Sequence, residues 1–139
     1  MKFPFPAIAA AFRERRAIHP PVPDVTGADV ERIVLRDFSA AQLEDVLAIL
    51  TEYTSQWESG TCRVQLAALK LANGNLDSLR THIDAAKQDY RDVLVAAEYP
   101  NFWKATSSGG LNLRNLSKRE RQQIVGADWQ QYEEWLRRG

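Results

Sequence analysis

A single cysteine, Cys62, rules out an internal disulfide, and two histidines, His19 and His82, leave little material for a transition-metal site. No apolar run approaches the roughly 18–20 residues that a membrane-spanning helix requires. Positive and negative side chains balance at 18 each, so the chain lacks the basic excess typical of nucleic-acid binders. Alternating apolar and polar residues, the mark of a half-buried strand, do not extend over any useful length. No internal repeat, phosphate-binding glycine loop or catalytic constellation appears, and no cofactor or metal is implied. What remains is a globular composition, 45% hydrophobic and 26% charged over 139 residues, enough for one compact domain with a core. An unpaired cysteine suits a reducing compartment, so the cytoplasm is the expected setting.

What the sequence does contain is helical patterning. Leu76, Leu79, Ile83, Ala86, Tyr90, Val93 and Ala97 recur at alternating spacings of three and four, a heptad seam of about three repeats. Asn73-Gly74-Asn75 precedes it and Tyr99-Pro100 closes it. Upstream, Val64, Leu66, Ala67, Leu69 and Leu71 are apolar on more than one side, which predicts a central helix shielded by neighbours. The short Asn-Gly-Asn connection then makes these two helices an antiparallel hairpin. Thr26 with Asp29, Ser39 with Gln42, and Ser117 with Glu120 have the spacing of capping boxes. They predict helix starts before Val30-Ile33-Val34, before a stripe of Leu43, Val46, Leu50, Tyr53 and Trp57, and before Ile124-Val125-Trp129-Tyr132-Leu136. The Leu43 stripe runs on to a stop at Glu58-Ser59-Gly60, after which Thr61 can cap the next helix. Gly126, with Asp128 and Gln131 as a second cap, leaves open whether the last helix is one or two.

The expected fold is therefore all-α: a compact bundle of about five or six helices on a central antiparallel hairpin. Residues 1–23 form a helical arm and proline-rich linker, 24–103 the helical core, and 104–139 a loop and a C-terminal helix packing on it. The first twelve residues superficially resemble a signal peptide. Two prolines and the early Arg13-Glu14-Arg15-Arg16 favour a segment of the mature protein instead. Charge is distributed unevenly: residues 1–23 carry four basic and one acidic side chain, 24–100 seven and thirteen, and 101–139 seven and four. Basic ends around an acidic middle suggest termini that fold back on the bundle or pair with another molecule.

Candidate chemistry is sparse. His82 has Ser78, Leu79, Ala85 and Ala86 at the ligand-forming helical spacings, so no local metal pair exists. Cys62 reads as a small buried side chain, and Ser107-Ser108-Gly109-Gly110 as a connector. Asp84, Asp89 and Asp92 interleave with Lys87 and Arg91, the pattern of a solvated helix face. Tyr99, Phe102 and Trp103 follow the seam helix and either pack over the bundle or present an aromatic surface to a partner. Arg114, Lys118, Arg119 and Arg121 form the most basic stretch, placed unfavourably at a helix start unless something anionic lies near.

The segment Arg63-Val64-Gln65-Leu66-Ala67-Ala68-Leu69-Lys70-Leu71-Ala72, with Gly74, Asp89-Tyr90-Arg91-Asp92-Val93-Leu94 and Ala97-Glu98-Tyr99-Pro100, resembles a group of small bacterial helical proteins with no assigned activity. Leu35-Arg36-Asp37-Phe38 is similar too, and the resemblance covers roughly residues 30–100. It implies a helical core and a bacterial cytoplasmic origin, and carries no functional residue.

The leading expectation is a non-enzymatic protein-interaction or regulatory module. Tyr99, Phe102, Trp103, Arg114, Lys118, Arg119 and Arg121 are the candidate contacts, and a second copy of the chain is one candidate partner. A small ligand- or metal-binding bundle or enzyme using Asp89, Asp92 and Tyr90 is the first alternative. Nucleic-acid binding through 114–121 is the second, disfavoured by the zero net charge.

Overall fold

Residues 21–55, 60–106 and 117–138 are described by a computed structural model of the chain. They form six α-helices and a short 3-10 turn, with no strand among them. The helices are α1 (Gly27–Asp37), α2 (Leu43–Leu50), α3 (Gly60–Ala72), α4 (Leu76–Glu98), α5 (Pro100–Thr106) and α6 (Lys118–Arg137). The chain is an all-α helical bundle. Local sequence signals open three of its segments. The Asp29 carboxylate accepts from the Thr26 backbone N–H at 2.9 Å, ahead of α1. Gln42 does the same for Ser39 at 3.2 Å, ahead of the 3-10 turn Ala40–Gln42 that leads into α2. At α6 both arms of the box close: Glu120 accepts from the Ser117 N–H at 2.8 Å and the Ser117 hydroxyl from the Glu120 N–H at 3.0 Å.

Helix α3 is the centre. Six consecutive residues, Val64 to Leu69, are buried, so neighbours cover it on all sides. Ala67 and Ala68 are small enough to let α1 and α4 approach closely, and α3 packs chiefly against α4. The one polar member of that run, Gln65, donates to the Leu50 carbonyl at 2.9 Å, a second donor on an acceptor that the Tyr53 N–H also reaches at 3.2 Å. Between α3 and α4 the backbone turns through Asn73 (φ 51°) and Gly74 (φ 79°), both left-handed. Gly74 is required twice over, because a Cβ there would also stand 3.0 Å from the Asp37 carbonyl at the end of α1.

The seam residues of α4 face inward as their spacing predicts. Leu79, Ile83, Ala86, Val93 and Ala97 are buried, with Leu76 and Tyr90 partly so. The helix, however, is not continuous. Asp89 has extended backbone angles (φ −156°, ψ 100°) and separates two helical halves. Its carboxylate accepts from the Arg91 backbone N–H at 3.1 Å, acting as the N-cap of the second half.

Other boundaries also differ from those read in the sequence. Helix α2 stops at Leu50, and Tyr53 reaches the core from the irregular segment beyond it. Trp57 lies outside the described residues. Thr61 sits inside α3 and accepts from the Ser55 N–H at 2.8 Å instead of starting the helix. A short helix, α5, starts at Pro100, whose fixed φ and missing N–H suit a first helical position. Gly126 does not break α6, which runs as one helix.

Candidate functional site

The Asp89 break determines where the far end of α4 meets α3. From the hairpin turn, Arg63 lies about 14 Å back along α3, whereas Glu98 would lie about 33 Å along a straight α4, at 1.5 Å per residue. No pair of side chains spans that mismatch. In the folded chain the two meet: Glu98 receives the Arg63 guanidinium in a two-pronged bridge, at 2.7 and 2.8 Å. The change of direction at Asp89 brings them together. Glu98 is 2% exposed and the Arg63 side chain 23%. Burial raises the Glu98 carboxyl above its ordinary value despite the opposing pull of Arg63.

Above this ion pair lies a groove of about 450 Å³. Leu94 and Val95 from the second half of α4 and Phe102 and Trp103 from α5 give it an apolar lining, and Pro21 and Val22 close one edge. The Tyr99 hydroxyl donates to the Pro21 carbonyl at 2.7 Å. Burial holds that phenol far above its ordinary value, so it remains a donor across the working pH range. Phe102 is half-buried and Trp103 is 45% exposed.

The orientation of α5 is fixed from a distance. Asp128, fully buried in α6, accepts from the backbone N–H groups of Asn101 (3.3 Å) and Phe102 (2.8 Å) and from the Asn101 amide (2.8 Å). It thus caps a helix that it does not belong to. Gln131, one turn on, donates to the Ala97 carbonyl at 3.3 Å, tying α6 to the end of α4. Tyr132 is fully buried, its hydroxyl without a hydrogen-bond partner among the described residues. Its phenol is also raised, by burial first and then by the charge of Glu98.

The structure gathers some sequence candidates and scatters others. Tyr99, Phe102 and Trp103 share the groove, but Tyr99 is a buried wall while Trp103 is 45% exposed. Tyr90 and Arg91 line the same groove. Lys118 and Arg119 are exposed on the first turn of α6, Arg121 is partly buried, and Arg114 lies outside the described residues. Asp84 belongs to a surface network in which Glu52 bridges Arg80 and Lys87, and Lys87 also reaches Asp84 at 3.1 Å. The two bridging hydrogen bonds lower the Glu52 carboxyl to about 2. Asp89 pairs with Arg91 at 2.9 Å, and Asp92 is exposed. No group of three or more His, Cys, Asp or Glu that could hold a metal occurs among the described residues. His82 is partly buried, which lowers its imidazole below the ordinary value, and Cys62 is a partly buried free thiol. His19 and Ser107-Ser108-Gly109-Gly110 lie outside the described residues. No helix among the described residues is long and apolar enough to cross a membrane.

Sequence reading missed Arg63, Glu98 and Asp128. Each is charged and acts across 26 or more positions, and nothing local marks it. No known protein family, curated protein or solved structure matches the chain, so the site stands on its own geometry.

Proposed function

We propose that the chain is a protein-interaction module that holds an apolar segment of a partner protein in the groove between α4 and α5. The observation that carries this reading is Trp103, 45% exposed beside half-buried Phe102, over an apolar floor built on a rigid ion pair. Large aromatic side chains at the rim of a preformed pocket are what interface anchors look like. The groove does not supply an evident catalyst. Both Glu98 oxygens are engaged by Arg63, so this carboxylate is positioned as structure and not as a free base. Asp89 is engaged as a helix cap, which leaves Tyr90 as the one member of the Asp89–Asp92–Tyr90 set that lines the groove. A partner protein in a reducing bacterial cytoplasm is the setting that the unpaired cysteine and the resemblance of residues 30–100 favour, and a second copy of the chain is one such partner.

The test is a photo-crosslinking amino acid placed at position 103, with position 77 at the far end of α4 as control. A discrete partner captured at 103, absent at 77 and lost on Phe102→Ser, supports the reading. Equal capture at both positions, or none at 103, overturns it.

A further inference from the structure

A second pocket, of about 410 Å³, lies where the C-terminal ends of α3 and α6 meet. Its lining is polar apart from one indole wall: Lys70, Asn73, Gln131, Glu134, Trp135 and Arg138. The hydrogen bonding there is lopsided. The Gln131 amide N–H groups are spent on the Asp128 carbonyl at 2.9 Å and the Ala97 carbonyl at 3.3 Å. Glu134 accepts from Gln130 at 3.2 Å. The Lys70 ammonium, the Arg138 guanidinium, the Asn73 amide and the Trp135 indole N–H make no hydrogen bond or ion pair with a described residue. Four donor groups, two of them cationic, thus share one pocket with a single acidic side chain.

Lys70 sits in the last turn of α3, where the helix end favours a cation, but the end of α6 does not explain Arg138. A C-terminal turn attracts positive charge, but at α6 Arg36 already fills that role. Its guanidinium donates to the Trp135 and Arg138 carbonyls, both at 2.7 Å, while bridging to Asp37 and lying 5.2 Å from the Trp135 ring centre. Arg36 therefore fixes the pocket's far wall and leaves Arg138 free. Lys70 is partly buried, and its amine is lowered by burial; the Asp128 charge opposes this, and the weaker Arg138 charge adds to it. A partly buried ammonium beside an exposed guanidinium, both lining one pocket, gives an oxyanion charge-assisted partners from two sides.

We propose that this pocket binds a small oxyanion, a phosphate or carboxylate group carried by a small molecule, through Lys70, Arg138 and Asn73, with the Trp135 indole as its apolar wall. The site is separate from the aromatic groove and does not depend on what occupies that groove.

The test uses the full chain, labelled with nitrogen-15, at neutral pH and constant ionic strength. Sodium phosphate and sodium citrate are titrated separately while the Trp135 indole N–H and the Asn73 and Lys70 signals are followed. Saturable shifts confined to these groups are expected with at least one probe. Phosphate alone would point to phosphorylated ligands and citrate alone to carboxylates. Charge-assisted hydrogen bonds of this kind make Lys70→Met and Arg138→Ala each weaken binding by about tenfold or more. Arg138 is exposed, so its removal leaves the core intact and keeps the test decisive if Lys70→Met unfolds. Shifts that never saturate with either probe, or that persist unchanged in Arg138→Ala, overturn the proposal.

Discussion

Replacing Glu98 by alanine should cost the fold about 3–5 kcal/mol, the range for removing one partner of a buried ion pair. The lower half of that range is expected, because Arg63 keeps 23% of its side-chain exposure and can recruit some water. Most of the loss comes from leaving the guanidinium without its two short hydrogen bonds, at 2.7 and 2.8 Å, in a setting where water cannot fully replace them. Replacing both residues, Arg63→Met with Glu98→Met, should recover most of the loss, because a buried pair is worth little against an apolar pair of similar volume. The raised Glu98 carboxyl points the same way: its burial costs more than Arg63 returns. It also sets a pH dependence. The folded chain holds the Glu98 proton more tightly than the unfolded chain does. This group's contribution is therefore full below the ordinary carboxylate value of 4.5 and is lost as pH rises through the raised folded value. Glu98→Gln removes that dependence, so its stability gap to wild type should widen as pH falls from neutral to about 4. Urea melts of wild type, Arg63→Met, Glu98→Met and the double variant, together with Glu98→Ala and with Glu98→Gln at two pH values, measure all of this. Single substitutions costing below about 1 kcal/mol, or strict additivity in the double variant, would show that the pair behaves as a surface bridge and refute the reasoning.

Two other substitutions test how the groove and the hairpin are held. Gly74→Ala should destabilise by about 1–2 kcal/mol from the left-handed backbone alone, and by more because its Cβ meets the Asp37 carbonyl at 3.0 Å; a urea midpoint unchanged from wild type would contradict this. Asp128→Ala strips the Asn101 and Phe102 N–H groups of their acceptor at about 1–3 kcal/mol for each group left buried. It should lower the melting temperature and loosen α5, seen as faster amide exchange at Phe102 and Trp103.

The parts of the fold that sequence reading recovers are those encoded within one or two turns. Thr26 with Asp29, Ser39 with Gln42, and Ser117 with Glu120 have the right side chains three residues apart, and each pair bonds as its spacing implies. Gly74 is likewise legible, since only a residue tolerant of positive φ suits a turn that short. The heptad seam correctly names the buried face of α4, yet it hides the break, because Asp89 lies off the seam and the three-four spacing continues past it. Asp89 itself held the signal: an aspartate whose carboxylate can bond the backbone two residues on competes with helix. Tyr53 misled in the opposite way, being buried without being helical. In the candidate site the aromatic wall was visible as a cluster in sequence. Its charged supports were not, since Arg63 with Glu98 and Asp128 with Phe102 become neighbours only once the helices have packed.

Helical order propagates residue by residue along an unbroken ladder of hydrogen bonds, and at Asp89 that ladder stops. Fraying that starts at α5 therefore need not run back to the Asn73–Asn75 turn, and loss of the turn need not carry forward to Glu98. In amide-exchange terms the long helix should report as two cooperative units with separate opening free energies. The first half joins the hairpin turn, and the second ends at Glu98, tied to Arg63 of α3 and, through Gln131 on the Ala97 carbonyl, to α6. The half that shapes the groove can then open and reclose while the hairpin that anchors the bundle stays intact.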